Sequence, residues 1–192
     1  AEMVQEAIEA NSGRTALVAF EYPPSMAGEL DSVALALLAD LADSGSRVLT
    51  VSQFAAGVPL AEGATAAVEG LDSTTLGFLP GEATGLRALS ACLDQRCDTL
   101  AGRELSDELQ AALADVNLIV VLSAERDSLA TELEHVRTQS EIEILGGVTQ
   151  SLGPIARAYL ASEQLGGLVE GMPVAAAYTG QVATNDEDTA RH

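Results

Sequence analysis

Lysine is absent from this 192-residue chain, and all nine basic residues are arginine. That excludes a Schiff-base lysine, a P-loop lysine and a kinase-type phosphate lysine. Nine arginines against 29 acidic residues leave a formal net charge of -20. No cationic stripe is available to displace counterions from nucleic acid, so nucleic-acid binding is excluded as a class. An anionic membrane surface repels the chain for the same reason. Tryptophan is missing and only 3% of the residues are aromatic. The core must therefore be Ala, Leu, Val and Ile, small enough to let helices lie close to a sheet. Long apolar runs are lacking too. Val33 to Ala39 and Leu118 to Leu122 fall far short of the ~20 residues a membrane-spanning helix needs.

Histidine occurs only as His135, inside an expected helix, and as the last residue, His192. Serine and cysteine nucleophiles are thus left without a placed base, and no Gly-x-Ser-x-Gly elbow occurs. The only cysteines are Cys92 and Cys97. They read as two free thiols or, in an oxidising compartment, as a disulfide closing a small loop. A metal site would need further ligands that the histidines do not supply, so no metal and no cofactor is expected.

What is present is an alternation. Apolar runs at Thr15–Phe20, Arg47–Val51, Thr75–Leu79, Val116–Leu122, Ile142–Val148 and Leu165–Val169 read as strands buried on both faces. Between them lie amphipathic stretches with apolar stripes, such as Leu30, Val33, Leu37, Leu38 and Leu41, or Leu129, Leu133 and Val136. A short helix opens the chain at Glu2–Ala10, and another is expected around Val174–Tyr178. Strand, helix, strand, helix specifies an α/β fold: a three-layer, doubly wound, mostly parallel sheet of five to six strands, Rossmann-like or flavodoxin-like. One domain is expected over residues 1–180, with an acidic, disordered tail over 181–192. Strand order does not follow from the pattern.

In such sheets ligands settle beyond the carboxyl ends of the strands. The candidates there are Glu21 and Ser25 after the first strand, Gln53 after the second, and Gly81 after the third. Ser123 and Arg126 follow the fourth, and Gln150 the fifth. Ser25, Ser123 and Ser151 also suit the helix N-cap, where a hydroxyl accepts unpaired N–H groups. Gly81 and Gly85 could expose N–H groups to an anion, but Glu82 repels one and a tight turn is the simpler reading. Arg126 is flanked by Glu125 and Asp127, which suggests a surface ion pair. Glu21, a carboxylate closing a buried strand, is a candidate general base or ligand-hydroxyl acceptor, or an acceptor for the next helix. No catalytic residue is assigned.

Several segments carry a resemblance. They are Glu6–Ala10, Ala16–Pro23, Gly28–Asp31, Leu76–Gly81, Leu118–Leu122, Gly147–Thr149, Gln164–Gly171 and Ala175–Tyr178. Together they resemble uncharacterised bacterial membrane-linked proteins with a soluble α/β domain. The resemblance implies an extracytoplasmic or membrane-proximal setting and a protein partner or membrane-anchored subunit, and it assigns no activity. The hydrophobic anchors of that family are not in this sequence. The expectation is a non-catalytic interaction, scaffold or ligand-sensing domain, with a small polar ligand as one partner class. The alternative is a small-molecule enzyme of hydrolase or transferase type using carboxylates and hydroxyls at the strand ends.

Overall fold

The computed structural model describes residues 2–95, 97–136 and 142–171. The helix expected near Val174–Tyr178 and the acidic tail lie outside them. Six strands form one parallel sheet: β1 (Thr15–Glu21), β2 (Arg47–Ser52), β3 (Ser73–Phe78), β6 (Val116–Ser123), β7 (Glu143–Val148) and β8 (Gly167–Glu170). Their order is β3-β2-β1-β6-β7-β8. The chain thus starts in the middle, winds outward to β3, returns, and winds outward the other way to β8. That is the Rossmann-like order of a doubly wound sheet, with its reversal between β1 and β6.

The burial pattern explains the layers. Every residue of β1 is buried. Leu17 and Ala19 point into one core, whereas Ala16, Val18 and Phe20 point into the other. The second core is filled by α1 (Glu2–Ala10), α2 (Ala27–Asp43) and α3 (Gly57–Ala67). The first is filled by α4 (Ala83–Asp94), α5 (Asp107–Ala114), α6 (Arg126–His135) and α7 (Gly153–Ala161). With so few large side chains, close approach replaces bulk. A Cβ on Gly147 of β7 would lie 2.9 Å from Val33 and 3.3 Å from Leu37 of α2, so that helix can settle on the strand only because no side chain is there.

Several local expectations are corrected. Ser25 does not cap α2: it sits exposed in a single 3-10 turn, Pro24–Met26, and Met26 precedes the helix without a side-chain cap. Pro23 and Pro24 dictate that entry, because each fixes its own φ and lacks an N–H. Ser123 does not cap α6 and Ser151 does not cap α7, since Glu125 and Leu152 occupy those positions. The stretch expected as a loop after Cys97 contains a small antiparallel hairpin, β4 (Thr99–Leu100) with β5 (Arg103–Glu104). It turns through Ala101 and Gly102, both at positive φ. His135 is the last residue of α6 rather than an interior one.

Cys92, near the end of α4, forms a disulfide with Cys97, just before the hairpin. Arg103 of the hairpin donates from Nη2 to the carbonyl of Leu76 on β3. That strand lies at one edge of the sheet. No helix among the described residues is long and apolar enough to cross a membrane.

Candidate functional site

Register assembles the site. Ala19 of β1 is level with Val51 of β2, so two residues further along, Glu21 stands level with Gln53. On its other side Glu21 pairs with Ser123 of β6. Side chains alternate across a strand, so Glu21 follows Leu17 and Ala19 toward the layer of α4 and α6. There it meets Glu132 of α6.

Gln53 joins the two carboxyls. Its backbone N–H donates to Glu21 Oε1 at 2.9 Å, and its side-chain Nε2 donates to Glu132 Oε1 at 2.9 Å. The turn that presents Gln53 is itself fixed. Ser52 Oγ lies 2.6 Å from the Phe20 carbonyl, to which it donates, and it accepts the Phe54 N–H at 3.0 Å. Gly57 at the start of α3 lets that turn close against the strands, because a Cβ there would collide with Ser52 Oγ and lie 2.7 Å from the Phe20 carbonyl.

Both carboxyls are enclosed, Glu21 at 0% and Glu132 at 1% exposure. Burial of the charged form is costly. Desolvation pushes the Glu21 carboxyl from the ordinary 4.5 up to about 7, against the lowering effect of the Gln53 N–H and of Glu132. Glu132 is pushed well above the carboxylate range, first by burial and then by the charge of Glu21. Glu21 Oε2 is buried and finds no fixed donor among the described residues. A proton carried by Glu132 supplies one. Burial thus favours the protonated form of both carboxyls, and the charge of Glu21 disfavours a second charge on Glu132.

Gln53 is also part of a surface. With Phe54, Glu82, Glu125, Asp127, Ser128 and Thr131 it lines a cleft of about 380 Å³. The cleft opens at the strand ends, over the side of the sheet that carries α4 and α6. Among the described residues that line it, three are acidic and none is basic. A larger hollow of about 480 Å³ lies at the other end of the sheet, between α1 and the last turn of α2. Gln53, which hydrogen-bonds both shifted carboxyls, lines the strand-end cleft and not this hollow, so the strand-end cleft is the better candidate.

The candidates named from the sequence separate. Glu21 and Gln53 come together, and Glu21 accepts from Gln53 rather than from the helix that follows its own strand. Ser123 is buried beside them and closes a turn, donating to the Glu125 carbonyl and accepting the Glu125 N–H. Gly81 sits at φ 89 in the turn before α4, next to Glu82. Arg126 is the exposed first residue of α6 and takes part in none of the ion pairs found among the described residues. Gln150 is exposed after β7, where its N–H donates to Glu29 Oε1 of α2, and it does not reach the cleft.

Glu132 was missed, although the sequence carried a signal. Leu129, Glu132, Leu133 and Val136 follow the helical i, i+3, i+4, i+7 spacing, so Glu132 occupies a position on the buried stripe.

No protein-family model matches this chain. No curated protein matches it either. Among solved structures, it is similar to the C-domain of a bacterial malonyl-CoA reductase solved with NADP, at 14% identity and a TM-score of 0.35. The match covers 86% of this chain but only 37% of that one. It concerns the fold alone. The loop after β1, where Rossmann-type folds hold a pyrophosphate on a glycine-rich turn, here reads Glu21-Tyr22-Pro23-Pro24. Two prolines remove N–H donors, and Glu29 stands in the first turn of α2. These residues do not fit a dinucleotide phosphate. No cluster of three His, Cys, Asp or Glu side chains suited to a metal ion occurs among the described residues.

Proposed function

We propose that this chain is a non-catalytic, ligand-sensing domain that takes a small polar molecule into the strand-end cleft. The carrying observation is Gln53, which lines the cleft on one side and holds two buried carboxyls on the other. A ligand that hydrogen-bonds the Gln53 amide competes with Glu132 for it, so occupancy is transmitted to an enclosed, proton-holding pair. The volume falls within the usual range for small-molecule sites.

The second reading, an enzyme, draws support from Glu21, whose carboxyl at about 7 suits a general base. Its complete burial behind Gln53 counts against that role, because a base must come within hydrogen-bond reach of the proton it takes. A setting outside the cytoplasm, beside a membrane-anchored partner, remains part of the proposal. The Cys92–Cys97 disulfide supports it, since such bonds persist in oxidising compartments. Protein docking alone is the weaker reading. The large exposed hydrophobics among the described residues, Met3, Met26, Leu35 and Phe78, come from four separate elements rather than one face.

The test is thermal denaturation of the whole chain against a panel of amines, amino acids, polyols, sugars and dicarboxylates. A ligand at a hundred times its Kd stabilises by about 2.7 kcal/mol, a readily measured rise in Tm. Ser128→Arg, on the half-buried rim of α6, fills the cleft without entering the core and should abolish the rise. Equal rises in the filled variant, or no rise with any compound, would refute the reading.

A further inference from the structure

We propose that the ligand of the strand-end cleft is a neutral ring polyol, a monosaccharide or cyclitol. One face of its ring lies on Phe54, and its hydroxyls bond the oxygen atoms around it. The inference rests on the binding function above and specifies its chemistry.

Phe54 carries the first half of the argument. The chain has only three Phe and three Tyr. Phe20 and Tyr22 are wholly buried and lie together in one core. Phe54 joins neither core, although it is half-buried and lines the cleft. Its backbone is pinned at both ends. Its N–H donates to Ser52 Oγ at 3.0 Å, and its carbonyl lies 2.9 Å from Ser52 Oγ and accepts the Gly57 N–H at 2.9 Å. A ring held in this way, and left out of the interior, is an apolar plate in an otherwise polar wall.

Two hydroxyls carry the second half. Elsewhere on the helices, Ser32 and Thr65 donate back to the carbonyls of Glu29 and Ala61, the usual local bond of a helical hydroxyl. Ser128 and Thr131 are half-buried on the cleft side of α6 and make no hydrogen bond among the described residues. Both hydroxyls therefore keep their donor and their acceptor for a ligand. The Gln53 amide, which also donates and accepts, stands in the same wall.

Such a set matches hydroxyl groups. A ring hydroxyl donates to a carboxylate while it accepts from an amide or another hydroxyl. Glu82, Glu125 and Asp127 supply the carboxylates. An ammonium group only donates, so it would leave the amide and hydroxyl donors unmatched. The three acids are exposed to water, where screening makes a bare charge pair worth little. An anion finds no arginine among the described lining residues. The C–H groups on one ring face need an apolar surface, and Phe54 offers it. About 380 Å³ takes one such ring with its nearest waters and sits low in the range of small-molecule sites.

Isothermal titration and saturation-transfer NMR of the full chain with glucose, galactose, ribose and myo-inositol test this. Choline is the cationic probe and succinate the anionic one. Methyl β-glucoside, run beside glucose, separates the terminal unit of a glycan, which it imitates, from a free sugar. The expected result is binding of at least one neutral ring, unchanged by high salt, with saturation passed chiefly to the C–H groups of one ring face. Phe54→Ala should weaken that binding about tenfold, and Phe54→Tyr should retain it. Thr131→Val, nearly the same in shape, should weaken it about threefold to tenfold. Circular dichroism checks that each variant is folded, and the valine variant carries the test if the alanine one is not. Ring binding that neither variant weakens overturns the contacts proposed. Binding of choline or succinate without any neutral ring overturns the ligand class and leaves the sensing function standing. Silence from every ring compound overturns the polyol proposal. Silence from the wider thermal panel as well defeats the sensing function itself.

Discussion

Glu21→Gln should make the protein more stable at pH 8 and leave it nearly unchanged at pH 5. The buried carboxyl titrates at about 7 instead of 4.5 because its charged form is desolvated. A carboxyl raised in this way binds its proton more tightly folded than unfolded. Its contribution to folding is therefore complete below about 4.5 and is lost as the pH climbs toward 7. The loss amounts to about 3 kcal/mol once Glu21 is fully ionised. Glutamine has nearly the same shape and never ionises. Its oxygen can still accept the Gln53 N–H, and its amide can donate toward Glu132. Between pH 5 and pH 8 the stability difference, variant minus wild type, should widen by about 2 to 3 kcal/mol. With an m-value of 1–3 kcal/mol/M in urea, the variant's midpoint at pH 8 should rise by about 1 M or more over the wild type. Urea melts of both proteins at the two pH values measure this, and the subtraction cancels the general repulsion of a chain carrying -20. A difference that stays constant with pH, or a variant weaker than wild type at pH 8, would refute the picture of an enclosed, proton-sharing pair.

Two further outcomes test the frame around the site. Reducing Cys92–Cys97, or replacing both with serine, should cost about 2 kcal/mol through the reopened loop. Hydrogen exchange should then quicken in 99–104 and in 73–78, because Arg103 ties the hairpin to β3, and unchanged exchange would sever that link. Gly57→Ala places a methyl against Ser52 and the Phe20 carbonyl and should cost about 1–3 kcal/mol as overpacking. A melting temperature equal to wild type would show that the start of α3 is looser than its contacts indicate.

The fold class was legible because strand and helix alternate with the right periods, and a buried parallel strand leaves a continuous apolar run, as Leu118–Leu122 does. Strand order was not, because no local pattern records where the winding reverses. The structure fixes it between β1 and β6. Two members of the central triad were also readable: Glu21 and Gln53 end adjacent strands, and strand ends share a rim. Glu132 escaped because acids on helices usually face solvent. Only its place between Leu129 and Leu133 marked it. The capping expectations show where local rules stop. Ser106 does cap α5, accepting the Leu109 N–H at 3.3 Å, because it sits directly before Asp107 in an extended conformation. Ser25 and Ser151 each stand two residues ahead of the first helical residue, and Ser123 stands three ahead and is held in the sheet.

The tie between Arg103 and Leu76 has a consequence for the molecule among its own copies. An outermost strand offers a row of unsatisfied amides on which another chain can be templated, the first step of fibril growth. On β3 one carbonyl of that row is already occupied by a guanidinium, and the following Gly77 bends the backbone to φ 82. A recruited strand would have to eject the arginine and straighten the glycine before it could dock.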